Sequence, residues 1–140
     1  MAWQAVQTAR RLLASEEGAV HRDWGGRLPI ALVYPNSYSV GMSSLAIHSL
    51  YRYLNSEPGI VCERAFAWLA GTAEQEGPPL TLESQRPIAD AAVVAISVSF
   101  EMDYWHVVDV LRRAGIPPRA SERDDSHPLV LLGGPAVTAN

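Results

Sequence analysis

Short apolar runs alternate along this chain with longer segments that are apolar on one side only. The short runs predict four β-strands, at residues 29–34, 60–66, 91–98 and 129–132. The first and third runs are continuously apolar, which is typical of strands buried on both faces in a parallel sheet. Longer, partly polar segments follow each run, so the four strands are expected to be separated by helices and loops rather than joined as hairpins.

Helical periodicity predicts three longer helices, at residues 3–16, about 42–55 and about 103–114. The apolar stripe that should face the sheet in the second helix consists of Met42, Leu45, Ala46, Leu50, Tyr53 and Leu54. The corresponding stripes are Trp3, Val6, Ala9, Leu12 and Leu13 in the first helix, and Tyr104, Val107, Val108, Leu111 and Ala114 in the third. A shorter helix is predicted over residues 67–76, and an extended segment or turn over 80–86.

The alternation of strands and helices predicts an α/β fold, a three-layer, flavodoxin- or Rossmann-like parallel sheet of about four strands with helices on both faces. The strand order is expected to be 2-1-3-4, because the first and third strands flank the switch point in such folds. Residues 29–140 would form this domain, and residues 1–28 an N-terminal helix and linker. The last strand would be an unpaired apolar edge, which favours self-association.

Composition excludes several classes of function. The net charge of the 140 residues is −4, and all 11 basic residues are arginines. Without lysine the chain can form no Schiff base and has no P-loop, and scattered arginines do not indicate nucleic-acid binding. Cys62 is the only cysteine and is predicted to be buried and inert, so the chain alone has no disulfide, cysteine-based zinc site or iron–sulfur cluster. No apolar run predicts a membrane span or a secretory signal, which indicates a cytoplasmic protein.

Ligands in open parallel sheets bind beyond the carboxyl ends of the strands. Three loops are expected there, at residues 35–41, 97–102 and 133–138. Their glycines and hydroxyl side chains suit the close approach of a ligand, and equally suit a turn without one. Glu101 and Asp103, at the start of the third helix, would repel a phosphate. No histidines or carboxylates have the spacing of a metal site or a catalytic set, so no catalytic residue is predicted.

The same three loops resemble the ligand-binding motifs of cobalamin-binding domains. Those domains carry D-x-H-x-x-G after the first strand, S-x-L or S-x-T after the third, and a Gly-Gly pair after the fourth. The residues at these spacings here are Asn36, Tyr38, Gly41, Ser97, Ser99, Gly133 and Gly134. The resemblance implies that these seven residues line a cobalamin site.

Residues 30–140 also resemble the N-terminal region of cobalamin-domain radical S-adenosylmethionine (radical SAM) proteins. The similar runs are L-V-Y-P-N-S-Y-S-V-G-M-S-S-L, V-C-E-R-A-F, S-x-S-F-E and H-P-L-V-L-L-G-G-P-A-V-T-A-N. The resemblance implies an N-terminal fragment of a longer enzyme, whose downstream radical SAM domain holds a 4Fe-4S cluster and S-adenosylmethionine. The cluster motif C-x-x-x-C-x-x-C is absent, so this chain alone should have no radical activity. Its implied role is to position a cofactor or to cap the downstream catalytic barrel.

Tyr38 departs from the cobalamin motif, because it stands where the cobalt-ligating histidine would be. A phenol with an ordinary pKa of about 10 is neutral at pH 7 and is a poor metal ligand. Either cobalamin binds without a protein ligand to cobalt, or the domain has kept the shape without the cofactor. We expect weak cobalamin binding or none in this chain. The alternatives are a ligand-free docking scaffold and a flavodoxin-like nucleotide binder.

Overall fold

The computed structural model describes residues 2–71 and 77–139. Its strands are β1 (Leu28–Ser37), β2 (Ile60–Trp68), β3 (Val93–Ser97) and β4 (Leu129–Gly133). Its helices are α1 (Ala2–Ala14), α2 (Tyr38–Gly41), α3 (Leu45–Ser56), α4 (Tyr104–Arg113) and α5 (Pro135–Ala139). Single 3-10 turns occur at Ile88–Asp90, Glu101–Asp103 and Ala120–Glu122. The four predicted strands and three predicted longer helices are therefore all present.

The four strands form one parallel sheet in the order β2-β1-β3-β4, which confirms the predicted topology. Ile30 of β1 pairs with Cys62 of β2 on one side and with Val93 of β3 on the other. Val93 in turn pairs with Leu129, so the carboxyl ends of β1, β3 and β4 lie side by side. β4 is an exposed edge of the sheet, as predicted.

Helices cover both faces of the sheet, as predicted for this α/β class. On the face that we call the α3 face, α1 and α3 pack over a core that contains Ala9, Leu32, Tyr34, Ile47 and Phe66. On the opposite face, the α4 face, the core contains Val33, Val94, Val107, Leu111 and Ala136. Both α4 and α5 therefore lie on the α4 face. The three layers are the helices of the α3 face, the sheet, and the helices of the α4 face, and β1 contributes to the core on both sides.

The apolar stripe predicted for α3 is only partly right, because Met42 and Leu54 pack against the core and other members do not. Leu45 and Tyr53 are 79% and 65% exposed, and the helix instead buries Ile47, Tyr51 and Asn55. Two of these three inward side chains are held by polar contacts: the Tyr51 hydroxyl accepts from the Val20 amide at 2.8 Å, and the Asn55 amide bonds the backbone of Cys62. A pattern based on hydrophobicity assigns such polar residues to the surface, so it missed two of the three residues that the helix buries most deeply.

Two smaller predictions also need correction. Trp3 of α1 is 72% exposed, and Ala9 makes the buried contact of that helix. The helix predicted over 67–76 is absent at its start because β2 continues to Trp68, and residues 72–76 of that prediction lie outside the described residues. The extended segment or turn predicted over 80–86 is confirmed as a turn at residues 82–84, enclosed by an antiparallel bridge between Leu80 and Pro87.

Candidate functional site at the carboxyl rim

The three segments expected to be ligand-carrying loops meet at the carboxyl rim of the sheet, but two of them are not loops: residues 35–37 end β1, residues 38–41 form α2, and residues 135–138 lie in α5. The amide of Val98 donates to the carbonyl of Gly133 at 2.8 Å, and the amide of Ala136 donates to the carbonyl of Val98 at 3.3 Å. The side-chain amide of Asn36 donates to Asp103 Oδ1 at 2.9 Å, which joins the first loop to the second. Adjacent parallel strands thus bring residues that are far apart in sequence into one continuous surface.

Asn36 belongs to a polar cluster with the buried Asp103 and the half-buried His106. His106 Nδ1 lies 3.0 Å from the same Asp103 oxygen that Asn36 contacts, and the Asn36 carbonyl accepts from the Ser37 amide at 2.8 Å. Asp103 is only 2% exposed, and its second oxygen has no partner among the described residues. Both ends of the Asn36 side chain are therefore occupied by protein groups. The i,i+3 spacing of Asp103 and His106 was the sequence signal for this cluster, which the sequence analysis missed.

Tyr38 points toward the end of α1. Its hydroxyl donates to Glu16 Oε1 at 2.6 Å, and its ring packs edge-on against Phe66 with centroids 5.3 Å apart. Burial, together with the hydrogen bond to Glu16, raises the pKa of Tyr38 to about 12. The phenol is therefore neutral at physiological pH, and its hydroxyl is already engaged.

The three glycines of the motif differ in whether their surroundings leave room for a side chain. A side chain at Gly41 would overlap the Phe66 ring. Gly134 has a φ of +110°, and a side chain there would overlap the carbonyl oxygen of Val98. Nothing lies within 4 Å of the Cβ position of Gly133. Packing and backbone geometry thus account for Gly41 and Gly134, whereas Gly133 leaves open space.

An apolar groove of about 260 Å³ opens on the α3 face at the rim. It is lined by Ala46 and Leu50 of α3, by Leu32, Ala95, Ile96, Leu131 and Leu132 of the strands, and by Ser97, Gly133 and Gly134 at the carboxyl end. Its volume lies just below the range of about 300–1,000 Å³ that is typical of small-molecule pockets. The groove brings together three of the seven predicted site residues, and it could accept one flat apolar ring system.

Large apolar side chains are exposed next to the polar cluster. Phe100, Met102 and Trp105 are 62%, 77% and 78% exposed, and all three fall in the six residues that enter α4. Single exposed apolar residues are common on protein surfaces, but a cluster of three large ones is typical of an interaction site. The sequence analysis placed this segment at the rim without identifying its apolar surface.

The described residues contain no group of three or more His, Cys, Asp or Glu side chains that could hold a metal ion. Cys62 is fully buried, and burial raises the pKa of its thiol to about 12. None of the helices among the described residues is long and apolar enough to cross a membrane.

Comparison with protein-family models gives a match over the larger part of the chain. The family model described as "Radical SAM proteins, N-terminal" matches residues 46–140, about two thirds of the chain. The matched range includes Ser97, Ser99, Gly133 and Gly134, and it begins after Asn36, Tyr38 and Gly41. No curated protein matches the chain, and no solved structure does.

Proposed function

The chain belongs to the family of radical SAM protein N-terminal domains, which implies a downstream catalytic domain in the same polypeptide, and we propose that this domain caps that catalytic domain with its carboxyl rim. Membership suggests a 4Fe-4S cluster and S-adenosylmethionine in the parent protein. The proposed role of this domain is to bind and position.

The exposed cluster of Phe100, Met102 and Trp105 is the observation that carries this proposal. Keeping three large apolar side chains in water is unfavourable, at about 25 cal/mol for each Å² of apolar surface. Covering them with another domain removes this cost, and aromatic residues with Met are enriched in protein interfaces. The contacts of Asn36 and His106 with the buried Asp103 hold the base of this segment in place.

Oxidative footprinting of the full-length protein tests the capping role. If the rim contacts the catalytic domain, hydroxyl radicals oxidise Met102 and Trp105 slowly compared with Trp3. Trp3 is the matched control, because it is 72% exposed and lies on α1. Oxidation of Trp105 at the same rate as Trp3 would contradict the proposal.

A second candidate function is cobalamin binding, which the groove at Ser97, Gly133 and Gly134 favours. When bound, cobalamin would supply a cobalt centre of the kind used in group transfer. The groove residues fit an apolar ring of its nucleotide tail, and the Ser97 hydroxyl would offer a polar contact. Tyr38 does not fit the role of cobalt ligand, because Glu16 engages its hydroxyl. If the groove holds no ligand, the domain is the ligand-free docking scaffold considered above.

A titration of the chain with cobalamin, followed by visible absorption, tests this second function. We expect weak binding, weakened further by Ala46→Phe, which would fill the groove from α3. Ser49→Phe on the same helix lies outside the groove and is the matched control. Binding that Ala46→Phe leaves unchanged would contradict the groove as the site. A spectrum that shows a protein nitrogen bound to cobalt would contradict the expectation that cobalamin binds without a protein ligand to cobalt.

A further inference from the structure

Asp103 is an acidic residue at the start of a helix, yet it does not cap that helix. It directly precedes α4, and its side chain accepts no hydrogen bond from the backbone of the first turn. Aspartate at this position ordinarily stabilises a helix by accepting such a bond. Here one carboxylate oxygen accepts from the Asn36 side chain at 2.9 Å and from His106 Nδ1 at 3.0 Å. The side chain therefore serves contacts across the rim rather than the helix itself.

The contact with Asp103 determines which nitrogen of His106 carries the proton. An ionised carboxylate can only accept, so Nδ1 of the neutral imidazole is the donor and Nε2 carries the free lone pair. The imidazole ring packs edge-on against Trp68, with centroids 5.1 Å apart. Nε2 has no hydrogen-bond partner among the described residues, and the side chain is 34% exposed. His106 thus offers an oriented, unoccupied proton acceptor at the rim.

The Asp103 carboxylate has no cation to compensate its charge. It is buried, its Oδ2 has no partner among the described residues, and neither Asn36 nor the neutral form of His106 is positively charged. Arg113, farther along α4, is paired with Asp109 at 2.8 Å. In a Ser-His-Asp triad, a buried carboxylate in this arrangement stabilises the imidazolium that forms when histidine accepts a proton. The pair therefore has the arrangement of a general base and the residue that positions it.

The charges of the rim indicate which kind of group delivers that proton. The described segments at the carboxyl ends of the strands are 35–44, 68–71, 97–108 and 133–139. Their only formally charged side chains are Glu101 and Asp103, and both are acidic. Such a surface repels a phosphate or a carboxylate and attracts a cation. A protonated amine is a cation that also has protons to give to a base.

The fold places the cluster where open parallel sheets bind their ligands. The chain leaves β1 for α3 on one face of the sheet and leaves β3 for α4 on the other, so β1 and β3 flank the switch point. Asn36 lies near the end of β1 and Asp103 follows β3, so their hydrogen bond spans this point. Ligands bind in the crevice outside the strands at the switch point.

We propose that His106 is a general base for a primary amine substrate at the rim, and that Asp103 is its positioning residue. Nε2 forms a bond to one proton of the ammonium group, the N–H bond of the substrate breaks, and its electron pair remains on the substrate nitrogen as a lone pair. The proton then passes from the partly exposed imidazole to solvent. The inference rests on the proposed capping function, because the neutral amine would react in the catalytic domain that the rim covers.

Nitrogen NMR of the full-length protein with labelled histidines tests the positioning. In neutral His106 we expect the proton on Nδ1. His48 is the internal reference with the opposite tautomer, because its Nε2 donates to the Met42 carbonyl at 2.7 Å. Asp103→Asn should move the His106 proton to Nε2, whereas Asp109→Asn on the same helix should not. A proton on Nε2 of His106 in the unmodified protein would overturn the proposal.

Calorimetric titration of the full-length protein with n-butylammonium chloride tests the substrate class, with sodium butyrate as the anionic control. Asp103→Asn should weaken amine binding by about tenfold or more, because it removes both the charge and the acceptor at Nε2. His106→Gln changes a partly exposed side chain and should have a similar effect without endangering the fold. Asp109→Asn is the control that should bind normally. Equal binding of butyrate, or unchanged amine binding in His106→Gln, would overturn the proposal.

Oxidative footprinting of Trp105 in the same protein separates this inference from the capping function. Slow oxidation of Trp105 without amine binding overturns the inference and leaves the capping function supported. Slow oxidation together with amine binding that requires His106 supports both. Rapid oxidation of Trp105 contradicts the capping function, and the proposed proton transfer with it, whether or not the amine binds.

Discussion

At the β2 edge of the sheet a network of buried polar side chains encloses the strand. At the β4 edge leucines are exposed, and no group among the described residues pairs with the outward-facing backbone. Arg64 is the centre of the β2 network, because its guanidinium pairs with Glu83 and with Glu16, each at 2.7 Å. It also lies 4.5 Å from the centroid of the Tyr51 ring. One edge is therefore closed by the chain's own side chains, whereas the other has no such closure among the described residues.

The closed edge also ties the N-terminal helix to the domain. Glu16, just after α1, bridges Arg64 of β2 and the Tyr38 hydroxyl of α2. A buried ion pair is weak evidence for stability in itself, since desolvation offsets much of its attraction. Removing one partner is costly, because it leaves the other charge buried without compensation.

Breaking the ion pair at the β2 edge should have the largest effect. Arg64→Met leaves Glu83 uncompensated, and we expect the free energy of unfolding to fall by about 3–5 kcal/mol. Urea unfolding measures the loss. Arg52→Met on exposed α3 surface is the control, and it should change stability by less than about 0.5 kcal/mol. An Arg64→Met/Glu83→Leu double variant should recover part of the loss; equal losses in the single and double variants would contradict this explanation.

Opening the edge at Asn55 should have the next largest effect. Asn55→Ala leaves the buried N–H and carbonyl of Cys62 without partners, which should destabilise the protein by about 2–4 kcal/mol. Burial raises the pKa of the Cys62 thiol to about 12, so a thiol reagent at pH 8 should react slowly with the unmodified chain and faster with the variant. Ser49→Ala is the control. An unchanged rate of thiol modification in Asn55→Ala would show that Asn55 does not seal this edge.

The two glycines at the end of β4 should respond unequally to alanine. Gly134→Ala places a side chain at a positive φ and against the Val98 carbonyl, and should cost about 1–3 kcal/mol. Gly133→Ala meets open space and should cost less than about 1 kcal/mol. Thermal unfolding of the two variants gives the comparison directly. Equal losses would contradict the conclusion that the positive φ of Gly134 and its close contact with the Val98 carbonyl exclude a side chain.

The open edge should make the 140-residue chain associate with itself. Unpaired apolar strands favour pairing with another copy, and a lysine on the edge opposes it. Leu131→Lys should therefore reduce the average mass measured by sedimentation, with a stability change within about 0.5 kcal/mol because Leu131 is half exposed. Leu45→Lys on exposed α3 surface is the control. A monomeric unmodified chain at high concentration would contradict this prediction.

The smallest effect concerns pH at the Tyr38–Glu16 hydrogen bond on the closed side. The pKa of Tyr38 is raised from about 10 to about 12, so its contribution to stability is complete below pH 10. The contribution is lost as the pH rises from about 10 to 12, because the unfolded phenol ionises first. Ultraviolet titration against a Tyr38→Phe control measures this pKa, and Glu16→Gln should lower it. A Tyr38 that titrates near 10 in the native chain would contradict the contact.

Some parts of the structure follow from sequence alone because they depend on local apolarity and general chain topology. The continuous run at 91–98 indicated a buried strand, and the alternation of elements indicated a parallel sheet in the order that the structure shows. The same reasoning placed loops 35–41, 97–102 and 133–138 on one rim. Right-handed crossovers and short-range hydrophobic burial are general enough that no particular side-chain contact was needed.

The orientation of α3 and the state of the site residues were decided only by the tertiary structure. Asn36 meets Asp103 across 67 positions, and Tyr38 meets Glu16 across 22. Hydrogen bonds between residues this far apart leave no periodic signal, yet they determine which polar groups become buried. The strand pattern could be determined locally because apolar burial is non-directional. Directional polar contacts require both partners to be in place, and only the folded chain puts them there.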